Sequence, residues 1–169
     1  MIIKGISDEQ SKALTRLLQY LSSQIEADAI IVSDYGGNIL SHIALQNDES
    51  LQTIAALAAG AFAATRELAR FIKEPEFLSV FHRGRESNIF IQCLASQYLI
   101  LAIVNKKTAQ GLVKLCMERM ASQFEAVLTG ASAQSILEAA SLTPFEIKDG
   151  DVFGNDEDED NENDTGDSS

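Results

Sequence analysis

The chain of 169 residues has few of the residues that most often carry chemistry, since it contains two histidines, two cysteines and no tryptophan. His42 and His82 have no nucleophile arranged beside them, which argues against a catalytic triad. Cys93 and Cys116 lie in apolar stretches without a CxxC partner, so we expect buried thiols in a reducing compartment. No group of residues has the spacing of metal ligands, and no GxxxxGK[ST] phosphate loop is present. We therefore expect no enzyme activity, no cofactor and no metal.

Basic residues and long apolar runs are also scarce. The chain has 13 Lys and Arg against 25 Asp and Glu, and ten of those acids lie in residues 149–167, where no base follows Lys148. The remainder, with 15 acids and 13 bases, is nearly neutral and has no basic patch for nucleic-acid phosphates. The longest apolar run, Ile54–Ala64, is shorter than the roughly 20 residues that a membrane span needs. Met1–Ile6 is too short for a signal peptide, so we expect a cytoplasmic protein without membrane insertion.

The most informative stretch is Leu51–Ile72, which its alanine and leucine content predicts to be a helix. Apolar residues recur along it on three lines at helical spacing: Leu51, Ala55, Ala58, Phe62, Ala69 and Ile72; Ile54, Leu57, Ala61, Leu68 and Phe71; and the small residues Ala56, Gly60 and Ala64. A surface helix has one apolar stripe, so this helix must be covered on more than one side. The domain's own sheet can cover one side. The same helix of a second copy, in a two-fold dimer, is the simplest cover for the small-residue line; the alternative is a helix buried inside a monomer.

The rest of the chain is predicted to form strands and amphipathic helices. Ser7 and Gln10 have the spacing of a capping box and predict a helix that ends near Glu26. Strands are predicted at residues 29–33, 39–43, 77–82, 88–94 and 98–104, the last of them central in the sheet, and a further helix follows Thr108 and ends near Gly130. The order αββαβββα predicts an α+β domain in which helices cover an antiparallel sheet.

The C-terminal part has a different composition. Residues 134–142 predict a short helix or a docked arm in which Ile136, Leu137, Ala140 and Phe145 cover apolar surface. The acidic residues from Asp149 onward predict disorder. We expect a domain over residues 1–130, an arm over 131–148 and an acidic tail over 149–169. The tail is either a solubilising appendage or an element that folds over a basic partner or competes for the partner surface of the dimer.

Three stretches resemble one family. They are the hairpin Ala29–Leu40, the Ala/Gly-rich helix segment Leu57–Thr65 with Leu68–Arg70, and the stretch from Glu76 through Phe81–Gly84 to Gly111–Leu115. Together with the element order, they are similar to the Roadblock (dynein light chain roadblock) domain over residues 8–128, and most similar to the bacterial MglB type.

This resemblance implies a Roadblock-like sandwich of a five-stranded antiparallel sheet, with the central helix on one face and the other helices on the opposite face. It implies a homodimer whose central helices pair antiparallel and whose third strands pair edge to edge. The interface residues would then be Ala56, Gly60, Ala64, Phe77, Ser79 and Phe81. The paired helices would contact a Ras-like small GTPase of the MglA type through Ala59, Ala63, Arg66, Glu67 and Arg70. The likeness to the MglB type further implies GTPase activation in bacterial cell polarity and motility, by repositioning the switch regions of the GTPase.

Two other functions stay open from the sequence. A dimeric scaffold would use the same surface without changing nucleotide turnover. A small-molecule sensor is disfavoured because the face that would form its pocket is packed with Leu, Phe and Ile. An arginine supplied in trans speeds GTP hydrolysis by about 10³- to 10⁵-fold, and the candidates are Arg66, Arg70, Arg83 and Arg85. We favour solvated charge for these residues, with Arg66 and Arg70 as contacts at the rim of a partner interface.

Overall fold

The computed structural model describes residues 6–45 and 50–130 of the chain. Its helices and strands are α1 (Asp8–Ile25), β1 (Ala27–Asp34), β2 (Ile39–Ala44), α2 (Leu51–Ile72), β3 (Ser79–Arg83), β4 (Ser87–Leu94), β5 (Tyr98–Asn105) and α3 (Gln110–Leu128). The predicted order αββαβββα is confirmed. The predicted arm and tail, residues 131–169, lie outside the described residues.

The first helix begins at the predicted capping box. The Ser7 side-chain oxygen accepts a hydrogen bond from the Gln10 backbone N–H at 3.2 Å, and the Gln10 side-chain oxygen accepts one from the Ser7 N–H at 2.8 Å. The Gln10 amide also donates to the Val127 carbonyl at 2.7 Å. One side chain therefore both starts α1 and ties it to the end of α3.

The five strands form one antiparallel sheet in the order β2-β1-β5-β4-β3. β5 is central, as predicted, and adjacent residues such as Ile100 and Leu101 are buried on opposite faces of it. The turn between β1 and β2 is held by Asp34, whose Oδ1 accepts from the Gly36 and Asn38 N–H groups at 2.8 and 2.9 Å. Gly37 has φ +80°, and a Cβ there would lie 2.5 Å from the Ala56 Cα, so only glycine lets this turn approach α2 so closely.

Helices cover both faces of the sheet. α1 and α3 pack on one face, where Leu18, Ile30 and Phe124 belong to one buried cluster. Of the three described helices, only α2 packs on the other face, where Phe62, Ile31 and Leu99 belong to a second cluster. Each such fully buried side chain contributes about 1.5–3 kcal/mol relative to exposure. The predicted α+β sandwich is therefore confirmed.

The start of the third strand differs from the prediction. β3 begins at Ser79, and Phe77 precedes it. The chain leaves α2 through a left-handed residue at Lys73, with φ 60°, and then passes Pro75. The segment from Glu74 to Leu78 brings the chain back to the sheet, so Phe77 connects elements instead of pairing within one.

Candidate functional site on the central helix

One line of α2 is buried, and all of its residues except Ala69 belong to the cluster that packs on the sheet. It consists of Leu51, Ala55, Ala59, Phe62 and Ala69. Ala59 is only 5% exposed, so its predicted role as a partner contact is wrong. The first predicted line is also shifted slightly, because Ala58 is half-buried and Ile72 is 60% exposed. Ala58 and Ala59 are chemically identical, so hydrophobic spacing alone does not decide which of them faces the sheet.

A second line of α2 lies beside β3 and β4 and is largely uncovered. This apolar flank consists of Ile54, Leu57, Ala61 and Leu68, four of the five residues in the second predicted line. Leu57 is 69% exposed and Leu68 is 56% exposed. Residues 6–45 and 50–130 therefore leave one side of α2 uncovered, contrary to the alternative of a helix buried on all sides within a monomer.

A groove of about 250 Å³ runs between the apolar flank and the sheet. The residues that line it are almost all apolar: Ile54, Leu57, Ala58, Ala61, His82, Ile89, Ile91 and Leu101. The 3- and 4-residue spacings among Ile54, Leu57 and Ala61 are those of residues that pack helix against helix. The groove therefore has the lining of an interface and lacks the convergent polar groups of a ligand pocket.

The small-residue line forms the outer surface of α2. Ala56, Gly60 and Ala64 are all exposed. No described atom, apart from the backbone and chain neighbours of the helix itself, lies within 4 Å of a Cβ added at Gly60. Packing within the described part of the chain therefore gives no reason for a glycine that costs the helix about 1 kcal/mol relative to alanine.

A polar flank lies on the other side of α2, next to the β1–β2 turn. It consists of Ala63, Arg66, Glu67 and Arg70, all exposed. The Arg66 guanidinium lies 4.9 Å from the centre of the Tyr35 ring, within the range of a cation–π contact. Arg70 Nη1 lies 2.9 Å from Glu67 Oε1, with both side chains mostly exposed, so this pair adds only about 0–1 kcal/mol. The structure brings together four of the five predicted partner residues.

Tyr35 supports the polar flank and was missed by the sequence analysis. Its hydroxyl and the Cys93 Sγ are hydrogen-bonded at 2.9 Å, and its ring centroid lies 6.2 Å from that of Phe62. Burial, followed by the hydrogen bond with Cys93, raises the pKa of Tyr35 above its ordinary value. Contacts with Phe62 of α2 and Cys93 of β4 thus fix the Tyr35 ring, and the ring also contacts the Arg66 guanidinium. The sequence signal was an aromatic residue inside a Gly/Asn turn, which turn chemistry alone does not require.

The β3 edge holds the other predicted interface residues. Among the described strands, β3 pairs only with β4, so its second backbone edge faces away from the sheet, as edge-to-edge pairing of third strands requires. The Phe81 ring lies 6.2 Å from that of Phe90 and packs against the cluster on the α1–α3 face. Ser79 lies on this same face by alternation with Phe81. The Ser79 and Phe81 side chains are therefore on the face of the sheet opposite α2. The exposed backbone edge of β3 borders both faces.

The described residues contain no group of three or more His, Cys, Asp and Glu that would hold a metal ion. His42 lies on β2, and His82 lines the apolar groove. Arg83 and Arg85 are exposed at the β3–β4 turn.

Both cysteines are free and buried, as predicted, and burial raises the pKa of each thiol, which opposes formation of a reactive thiolate. Among the described helices, none is long and apolar enough to cross a bilayer.

Comparisons with known proteins agree with this architecture. The family model described as the Roadblock/LC7 domain matches residues 14–105. The chain is similar to the structure of Myxococcus xanthus MglB at 22% identity and a TM-score of 0.68, covering 78% of this chain and 95% of that one. The gliding protein MglB of Thermus thermophilus gives 22% identity and a TM-score of 0.70, covering 76% and 98%.

A further structure, described as MglB with a tetrameric arrangement, gives 22% identity and a TM-score of 0.69, again covering 76% and 98%. A comparison with curated protein sequences finds no match. At this level of identity, the likeness to solved structures shows a shared fold.

Proposed function

Because the chain belongs to the Roadblock/LC7 family, we propose that it is a non-enzymatic homodimeric regulator of a bacterial Ras-like small GTPase of the MglA type. It binds the GTPase through the paired central helices and accelerates GTP hydrolysis by repositioning the switch regions. The observation that carries this proposal is the division of the α2 surface into an exposed apolar flank and an exposed polar flank. Each flank suits a different partner.

The apolar flank suits a second copy of the chain. Burying a leucine such as Leu57 or Leu68 stabilises an association by about 1.5–3 kcal/mol. A two-fold axis brings the same flank from both copies together, so the contact is self-complementary. The small-residue line allows close approach of the two helices, and the outward backbone edge of β3 offers strand pairing. The proposed interface residues outside the flank are Ala56, Gly60, Ala64, Phe77, Ser79 and Phe81.

The polar flank suits the GTPase. Ala63 leaves room for close contact, while Arg66, Glu67 and Arg70 offer charges of both signs. Tyr35 fixes the Arg66 guanidinium from one side, so Arg66 is a positioned contact at the helix surface and not a free side chain that reaches into an active site. The acceleration of hydrolysis then comes from the conformation imposed on the GTPase, whose own residues perform the chemistry.

A dimeric scaffold is the second candidate. The same two flanks would assemble a complex without altering nucleotide turnover. The absence of a metal-ligating cluster among residues 6–45 and 50–130 is equally compatible with this role. The two candidates differ only in what happens to the nucleotide after binding.

The test is single-turnover phosphate release from the GTP-loaded MglA-type GTPase of the same organism, with and without saturating full-length chain. We expect faster release. Arg66→Ala should reach the same maximal rate at higher concentration, whereas Arg85→Ala, an exposed arginine outside α2, should behave as the unaltered chain. Binding without acceleration would support the scaffold, and no binding would contradict both candidates.

A further inference from the structure

His82 lines the groove between the apolar flank and the sheet, and it is the only one of the described lining residues whose side chain can carry a charge. It lies on β3 and pairs with Ile89 of β4, which packs against the cluster beneath α2. The His82 side chain is exposed, and among the described residues it has no hydrogen-bond or ion-pair partner. The imidazole therefore borders an apolar groove and depends on solvent for its hydrogen bonds.

The helix and strands around the groove supply no carboxylate that would pair with a charged imidazole. Residues 51–65 of α2 contain no Asp, Glu, Lys or Arg, and neither do residues 87–94 of β4 or residues 98–105 of β5. The other titratable side chain on this face of β4 is the Cys93 thiol, and burial raises the pKa of that thiol. A positive charge in the groove would therefore find no compensating negative charge on these elements.

The charges that follow His82 in the chain are mostly of the sign that a protonated imidazole carries. Arg83 comes directly after it, and Arg85 and Glu86 lie in the β3–β4 turn. The Glu86 carboxylate is already paired, because its Oε2 lies 2.9 Å from the Lys106 Nζ. Positive charges nearby disfavour the charged form of an imidazole, as does burial among apolar side chains. These surroundings suit a neutral imidazole once the groove is covered.

We propose that pH controls the self-association of the chain through His82. This inference rests on the dimer proposed above, in which a second copy covers the groove. Covering the groove removes the imidazole from water, so the dimer forms with the uncharged side chain. Acid protonates an exposed histidine, whose ordinary pKa is about 6.5, and association then has to release that proton. The dimer is therefore strongest above about pH 6.5 and weakens as the pH falls below it.

The test is the dimer dissociation constant of the full-length chain, measured by sedimentation equilibrium at constant ionic strength. Each of the two copies brings one imidazole, so lowering the pH from about 7.5 to about 5.5 should raise the constant by about 10- to 100-fold. His82→Gln places a neutral amide at the edge of the groove and should show no such rise. Because His82 is exposed in the single chain, the variant should fold normally, which circular dichroism checks over the same pH range.

The matched control is His42→Gln, since the chain has only two histidines. His42 is exposed on β2, at the edge of the sheet opposite β3, so this variant should keep the full pH dependence. A dimer of constant strength over the pH range would overturn the role of His82 alone. So would a dimer that tightens in acid, or a pH dependence that survives in His82→Gln. A single chain at every pH would instead contradict the proposed dimer, and this inference with it.

Discussion

The two flanks of α2 lie on one helix but differ in how far the chain itself satisfies their side chains. On the polar flank the charged groups already have partners within the chain, because Arg66 lies on the Tyr35 ring and Arg70 pairs with Glu67. On the apolar flank Leu57 and Leu68 remain mostly exposed beside an open groove. Water solvates charge well and apolar surface poorly. The difference indicates that the apolar flank needs a lasting cover, whereas the polar flank tolerates a partner that comes and goes.

The largest effect is expected from placing a charge on the apolar flank. Leu57→Asp would bury an unpaired carboxylate in the dimer, at a cost of about 3–5 kcal/mol. The dimer dissociation constant should rise by about 100- to 1,000-fold or more, while the folded monomer is unaffected because Leu57 is exposed. Sedimentation velocity over a dilution series measures this. Ala63→Asp on the polar flank is the control, and an equal loss of dimer in that variant would contradict the division between the flanks.

A smaller effect is expected at Gly60. Gly60→Leu should overpack the paired helices by about 1–3 kcal/mol and weaken the proposed dimer by about 5- to 150-fold. The monomer should not lose stability, since a Cβ at Gly60 has open space around it and replacing a helical glycine gains up to about 1 kcal/mol. Light scattering gives the mass and thermal unfolding gives the stability. Gly60→Leu that remains a dimer at every dilution would place the helix contact elsewhere.

Removing arginines from the polar flank should have a modest effect. Arg66→Ala or Arg70→Ala removes an exposed contact worth about 0.2–1 kcal/mol, so the affinity for the GTPase should fall about 1.5- to 5-fold. Mass and maximal phosphate release should stay the same. Titration calorimetry measures the affinity, with Arg83→Ala as the control away from α2. A loss of the maximal rate at saturation would identify an arginine that takes part in hydrolysis.

The smallest effect concerns the support beneath the polar flank. Burial and the Cys93 hydrogen bond raise the pKa of Tyr35, so the folded chain keeps the phenol proton to higher pH than the unfolded chain, whose tyrosine titrates near about pH 10. This contribution to stability is complete below that pH and is lost as the pH rises through the folded pKa. Urea unfolding should show a steeper loss of stability above about pH 10 in the unaltered chain than in Tyr35→Phe. Equal slopes would show that the phenol does not couple to folding.

Sequence reasoning predicted the elements better than their surfaces. The capping box at Ser7 and the Gly/Asn turn at Gly36–Asn38 are local signals, and local hydrogen bonds do form at both. Which alanine of α2 faces the sheet depends on how the helix is rotated about its axis. Because Ala58 and Ala59 are the same residue type, the sequence does not distinguish the two rotations. Phe77 is as apolar as a strand residue, but the reach needed to return from α2 places it in the connection.

The same reasoning explains the outcome at the candidate site. Arg70 lies four residues after Arg66 and three after Glu67, and residues three or four apart are neighbours on a helix surface. The sequence spacing alone therefore places these three residues on one side of α2. Tyr35 comes from a turn distant in the chain, and its position on Phe62, Cys93 and Arg66 depends on how the hairpin folds over α2. No pattern along the chain encodes that contact, so the structure was needed to find it.

The solution mass of the unaltered full-length chain tests the central claim most directly. Sedimentation equilibrium across a wide dilution range should give at least twice the chain mass of 18.3 kDa at micromolar concentration, because in the proposed dimer a second copy covers the apolar flank. A mass of one chain at every concentration would contradict the account, since the apolar flank would then stay in water or be covered within a single chain.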